Sequence, residues 1–334
     1  MLTRRSIHIT NSFLKLGLEL VYKNLRLVSN LPMVSKLAEK AAVGQLFRHC
    51  SDNPPLPVHQ SSYRQFHSTA TALLKVQSDI LSNMDKQEVT LLVLLDLSAA
   101  FDTVDHNILV NILESDFGIC GDALKWFRSY LIGRVQRAIV NQQSSKTFNL
   151  NYVVPQGSCL GPVLFLLYAS RLFEVVKKHL PSAQWYADDT QLYVSFRPDP
   201  FVAQDQAIKA IENCIADVRA WLVSHRLMFN DSETEFLIIG SSQQLSKVTM
   251  ASIKVGDCYI QPLKPLRNLG TWFDNHMSKN THIGKVCSKA FRRLYNIRQS
   301  RKYLSAESTK CLIHAFVTSY LDYCNALLYK FQQY

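Results

Sequence analysis

The chain has 334 residues, 47% hydrophobic and 19% charged, and its 37 Lys and Arg outnumber 26 Asp and Glu for a formal net charge of +11. That composition builds a globular protein of about two domains and excludes a disordered or low-complexity one. No apolar run approaches the roughly eighteen residues that span a bilayer, so no membrane segment is expected.

Residues 1–18 carry Arg4, Arg5 and Lys15 with no acid before Glu19. They read as a frayed extension, covering 1–23, in preference to a transit peptide. Pro54, Pro55 and Pro57 make a stiff connector. A helix is predicted over 68–84, capped by Ser68 or Thr69, with Leu73, Val76, Ile80 and Met84 at helical spacing. Residues 89–95 form a continuous apolar strand. Helices follow at 105–114 and 122–131, and strands at 135–140 and 148–154. Gly161 and Pro162 open a helix running to 178, with Pro where a missing N–H costs nothing. Residues 184–194 make a hairpin with Asp188 and Asp189 at its tip. Ile208, Ile211, Ile215, Val218 and Leu222 draw a helical stripe, and 236–239 is a further strand. Strand, helix, hairpin, helix, strand describes an α+β fold, an antiparallel sheet backed by helices. Beyond it, Ile283, Val286, Ala290, Leu294 and Ile297 mark a basic helix, and another runs over 306–328.

Charge is unevenly placed. Residues 275–334 hold ten Lys and Arg against two acids, and residues 1–50 hold eight against two. The middle is slightly acidic. A basic frame around an acidic centre suits a protein that grips a polyanion and holds cations. The eight Cys show no C-x-x-C and no zinc spacing, and read as reduced thiols of an intracellular protein that is not secreted.

Two acidic sites end apolar runs. Leu91 to Leu95 lead into Asp96, and Trp185-Tyr186 lead into Asp188-Asp189. Asp96 is either a helix N-cap or a strand-end ligand. Asp188-Asp189 is either a turn or half of a cation site. Two cations about 4 Å apart activate an attacking oxygen and stabilise a leaving one in phosphoryl transfer, and Mg²⁺ suits carboxylate and phosphate oxygens.

Six segments stand in a familiar order: Leu27-Val28-Ser29-Asn30-Leu31-Pro32; Tyr63-Arg64 with His67-Ser68-Thr69; Leu95-Asp96 to Phe101-Asp102; Pro155-Gln156-Gly157-Ser158 with Leu160-Gly161-Pro162; Tyr186-Ala187-Asp188-Asp189; and Leu269-Gly270. Over residues 24–329 the chain resembles the reverse transcriptase of non-LTR (LINE-type) retrotransposons. The resemblance implies a right-hand polymerase: fingers over 24–90, palm with a fingers insertion over 91–274, and a partial, truncated helical thumb over 275–334.

It further implies an RNA-directed DNA polymerase that adds dNTPs to a DNA primer on an RNA template with two Mg²⁺, Mn²⁺ being a substitute. No membrane and no other small-molecule cofactor are implied, and the location is nucleus and cytoplasm. Asp96, Asp188 and Asp189 are the implied catalytic carboxylates. Asp96, Asp188 and the main-chain carbonyl of Leu97 are the implied metal ligands. Arg64 clamps the triphosphate, Phe101 blocks a 2′-hydroxyl, and Gln156 and Gly157 line the nucleotide. Leu269-Gly270 resembles the primer grip, while Lys285, Lys289, Arg292 and Arg293, with Arg298, Arg301 and Lys302 beyond them, track the duplex. Asp102 and His106 read as structural.

Three departures stand out. Glu233, in Asn230-Asp231-Ser232-Glu233-Thr234-Glu235, occupies the position of a family lysine that meets the departing pyrophosphate. Tyr152-Val153 replaces a usual Gln-Gly and is expected to strain its turn, and Ser62 replaces a small residue harmlessly. With no endonuclease upstream and a shortened thumb, the chain reads as a fragment of a decayed or captured element. The alternative function is a catalytically impaired nucleic-acid-binding remnant.

Overall fold

The computed structural model describes residues 7–14, 25–52, 57, 59–98, 101–140, 143–150, 152–155 and 157–329. The expected connector at Pro54 and Pro55 lies outside them. The chain divides into two compact units, each assembled from separate stretches. The first takes Met1–Tyr63, Leu97–Lys178 and Asp217–Asn230; the second takes Arg64–Asp96, His179–Ala216 and Asp231–Tyr334.

The second unit is built on a four-stranded antiparallel sheet, in the order Glu235–Ile239, Val89–Leu95, Asp189–Phe196, Ser182–Tyr186. Val89–Leu95 is central and almost wholly buried, as its unbroken apolar run requires. The helix Thr69–Asp85 starts where a capping box closes it: Ser68 Oγ accepts from the Thr71 N–H, and Thr71 Oγ1 accepts from the Ser68 N–H. Its stripe of Leu73, Val76 and Ile80 packs with Leu92, Tyr193, Leu237 and Ile239 of the sheet. Each such side chain contributes on the order of 2 kcal/mol, against about 1 for the cap, so packing decides where this helix sits. Leu266, Phe273, Cys324 and Leu327 complete the cluster.

In the first unit, Arg134–Val140 pairs antiparallel with Phe148–Leu150 and parallel with Ile7–Leu14, which pairs with Leu25–Asn30. Residues 7–14, expected to fray, thus form a strand. Helices Met33–Asp52, His106–Ser115, Gly121–Leu131 and Gly161–Tyr168 belong to the same unit. Asp105 caps the second of these by accepting from the N–H groups of Asn107 and Ile108, and Arg226 pairs with it at 3.1 Å. His106 is buried and its Nε2 donates to the Val153 carbonyl at 3.0 Å, the structural role expected of it. The helix Phe201–Ser224, with Ile211, Ile215, Val218 and Leu222 buried as the stripe required, supplies residues to both units.

Two expected helices are interrupted. The one opened by Gly161 ends at Tyr168 and resumes as Leu172–Lys177. Between them Ser170, Phe173 and Glu174 bond three residues back, so the turn tightens. The 306–328 segment is Ala306–Ile313, a π-helical turn over His314–Thr318, Ser319–Asp322, and a 3-10 turn over Asn325–Leu328, with Cys324 at φ 55 before it. The expected strand at 148–154 stops at Leu150.

Val153 holds φ 95, a region that disfavours β-branched residues. The strained turn expected from the missing glycine is therefore present. Val153→Gly should raise stability by about 1 kcal/mol, the strain relieved exceeding the flexibility glycine adds. A denaturant midpoint no higher than that of the parent chain would show that the surrounding bonds, not the side chain, hold the turn.

Candidate active site

The strand pairing determines where the carboxylates meet. Leu95 is opposite Thr190, and Tyr186 is opposite Asp189. Asp96 therefore follows the last rung of its strand on the rim where the Ser182–Tyr186 and Asp189–Phe196 hairpin turns. Ala187 and Asp188 form the two-residue tip, with Ala187 at φ 60. Asp96 caps no helix: it is followed by the two-residue strand Leu97–Ser98. The turn expected at Asp188-Asp189 forms, and the charges of both act on the Asp96 carboxyl.

The Asp96 carboxyl is pushed up to about 6, first by desolvation, then by a hydrogen bond to Glu233, then by the charges of Glu233, Asp188 and Asp189. Asp189 is likewise pushed up to about 6, by desolvation of its carboxyl and by the Asp188 charge, although its residue surface is open to solvent. Glu233 ends the 3-10 turn Asp231–Glu233. It reaches Asp96 because Glu235 is opposite Leu94 two rungs earlier.

All these donors are carboxylate oxygens, which fit a hard divalent cation. Among the described residues no trio of His, Cys, Asp or Glu closes into a preformed metal cage. The set is open, and Mg²⁺ commonly binds through one or two carboxylates with water and phosphate oxygens filling the rest.

Leu97, Phe101 and Gly157 belong to the first unit; Gln156 lies outside the described residues. Leu97 is buried, and its strand pairs with Met228–Phe229. Phe101 is half-buried with its ring centroid 5.0 Å from that of Phe165. Gly157 is exposed at φ 97. A Cβ on Gly161 would stand 2.9 Å from Ser158 Oγ and 3.2 Å from the Pro155 carbonyl, so that glycine is required by close approach.

Sequence reasoning missed Glu39. It is 1% exposed on the Met33–Asp52 helix. It accepts from the Cys159 N–H at 2.7 Å, from Tyr130 Oη at 3.0 Å and from Ser35 Oγ at 3.3 Å. Ser158 Oγ accepts from the Gly161 N–H at 2.6 Å. These bonds hold Cys159 and Gly161 in place. The signal was available: Glu39 shares a helical face with Leu46 and Cys50, both buried.

In the second unit, Arg64 is half-buried ahead of the Thr69–Asp85 helix. Leu266–Asn268 and Thr271–Phe273 form a hairpin whose tip is Leu269 at φ 42 and Gly270 at φ 86, both left-handed as a two-residue tight turn demands. Tyr323 Oη donates to the Leu269 carbonyl at 2.7 Å. Lys285, Lys289, Arg292 and Arg293 share one face of the helix Asn280–Ser300.

The family described as Reverse transcriptase (RNA-dependent DNA polymerase) matches residues 15–305. This chain belongs to the reverse transcriptase family. Like other reverse transcriptases, it comes from a family that uses divalent metal ions. It is 26% identical over 292 residues to the probable RNA-directed DNA polymerase from transposon BS of Drosophila melanogaster, covering 86% of this chain and 31% of that protein. With the RNA-directed DNA polymerase from mobile element jockey of the same species it shares 24% over 276 residues, 80% of this chain and 28% of that one. This reverse transcriptase chain thus spans about a third of the length of those relatives, and they bear out the non-LTR lineage read from its motifs.

Among solved structures, apo telomerase from Candida tropicalis truncated from its C-terminal domain superposes with a TM-score of 0.54 at 12% identity, over 81% of this chain and 53% of that one. Telomerase of the same organism in complex with a TWJ fragment of telomeric RNA gives 0.52 at 11%, over 98% and 54%. The right-hand polymerase fold expected of a reverse transcriptase is borne out. No described helix is long and apolar enough to cross a membrane.

Proposed function

We propose that this chain is an RNA-directed DNA polymerase domain that extends a DNA primer with dNTPs along an RNA template. The observation that carries it is the meeting of Asp96 with Asp188 and Asp189 on one rim of the antiparallel sheet. The family match and the relatives named for this activity support it. The fingers, palm and partial thumb segments set out above are part of the proposal, as is an intracellular site of action, nuclear and cytoplasmic. The eight cysteines, all free, agree with that location.

In this proposal Asp96 and Asp188, with the main-chain carbonyl of Leu97, would hold two Mg²⁺, which Mn²⁺ could replace. When bound, the cations lower the barrier to attack by the primer 3′-oxygen and neutralise charge on the departing pyrophosphate. Asp189 adds negative charge that favours cation binding. Gly157 and Gln156 line the nucleotide, and Glu39 secures Cys159 close by in the sequence. Arg64 grips the triphosphate as a planar fork. Leu269 and Gly270 press the primer end. Lys285, Lys289, Arg292 and Arg293 neutralise backbone phosphates.

Phe101 excludes the 2′-hydroxyl that separates RNA from DNA building blocks. Primer extension by the purified chain on an RNA template tests the whole proposal: dNTP incorporation that requires Mg²⁺ or Mn²⁺ is expected. In the same assay Phe101→Ala should narrow the preference for dNTPs over rNTPs by about tenfold, the equivalent of ~1.4 kcal/mol. Unchanged sugar discrimination would leave Phe101 as packing for Phe165 only.

A further inference from the structure

In the second unit, the outward face of the 266–273 hairpin and the helix Asn280–Ser300 enclose a hollow of about 540 Å³. Arg267 lines it from the hairpin, and Lys285, Lys289, Arg292 and Arg293 line it from the helix. None of its lining residues is acidic. Five cations facing one space repel one another, and aromatic rings hold three of them. Lys285 Nζ lies 5.6 Å from the Trp272 ring centroid, and Lys289 Nζ and Arg293 Cζ lie 4.7 and 4.6 Å from that of Tyr320. Arg293 also donates to the Phe316 carbonyl at 2.6 Å. Trp272 and Tyr320 remain partly open to solvent.

We propose that this hollow binds single-stranded nucleic acid, seating consecutive phosphates along the helix with a base against Trp272 or Tyr320. The proposal rests on the polymerase reading and refines it: Lys285, Lys289, Arg292 and Arg293 take the phosphates of an unpaired strand, with Arg267, Trp272 and Tyr320 added. From Lys285 to Arg293 the helix rises about 12 Å, room for two or three phosphates of an extended strand. A concave basic groove interleaved with aromatic rings is the chemistry that retains unpaired strands, whose bases are free to stack on protein. A duplex keeps its bases inside and offers convex phosphate ridges, which reach the rim of such a hollow and not its rings.

Fluorescence anisotropy with the full chain tests this on two probes: a blunt RNA–DNA hybrid, and the same hybrid carrying an unpaired tail of about eight nucleotides. The tail should tighten binding about tenfold. Trp272→Leu and Tyr320→Leu keep all five charges and should each remove most of that gain, with blunt-hybrid affinity within about twofold. Arg267→Gln should lower the salt dependence on the tailed probe only. Circular dichroism identifies any variant that misfolds, and the remaining variants then decide. Equal affinity of the parent chain for both probes overturns the proposal. So does an equal loss on both probes in the variants, the pattern of a duplex-backbone site. If the tail adds nothing while primer extension proceeds, the hollow alone is refuted; if the parent chain binds neither probe, the polymerase reading falls with it.

Discussion

Asp188→Asn should lower single-nucleotide extension by about a thousandfold or more, equivalent to ~4 kcal/mol of barrier, while primer–template affinity changes by less than about threefold. In the proposed reaction the carboxylates at this rim serve the transition state and not the grip on the duplex. A parallel fall in primer–template binding would mean that the substitution unfolded the hairpin tip. Retained activity would remove Asp188 from the site altogether.

The same substitution should stabilise the cation-free chain. Asp96 and Asp189 both titrate near 6 in the folded protein, above the ordinary aspartate range. Between about pH 4 and pH 6 the unfolded chain has released protons that the folded one keeps. The contribution of these groups to stability therefore falls as pH rises through that window and stays low above it. Asp188→Asn removes one of the repelling charges. Its melting temperature should exceed that of the parent chain by a margin that opens between pH 4 and pH 6, and Mg²⁺ added to the parent chain should close it. A margin independent of pH would point to a local change of packing.

Glu233→Lys should raise turnover about tenfold or more, with primer–template affinity unchanged. Glu233 acts on the Asp96 carboxyl, so in the proposed site it sets a carboxylate near the leaving pyrophosphate, and stabilising the charge that develops there is a large part of phosphoryl transfer. Glu233→Gln removes repulsion without supplying a cation, so it should fall between the two. A parent chain that already extends primers well, with no gain in the Lys variant, would show that Glu233 faces away from the leaving group. A gain that appears as tighter primer–template binding would be general electrostatics.

The carboxylates were legible in the sequence because long buried strands announce themselves, and a residue that ends one must lie on the rim of the sheet. Glu233 was singled out only as a departure from a pattern; its contact with Asp96 follows from the pairing of Glu235 with Leu94, and pairing between strands about 140 residues apart cannot be read from periodicity. The breaks near Ala169 and His314 were invisible because no proline or glycine marks them; tightened and widened turns there answer to packing. Glu39 was passed over because a charged residue on a helix usually faces water, and only three converging donors make its burial tolerable.

The family match ends at residue 305, yet the packing of the second unit runs on. Cys324 and Leu327 lie in the same apolar cluster as Leu73 and Leu92, Gln77 Nε2 donates to the Leu327 carbonyl, and Tyr323 secures the Leu269 turn. A chain cut at residue 305 would leave that cluster open and the Leu269 turn unlatched. Packing thus carries the second unit some twenty residues beyond the last one that the family match covers.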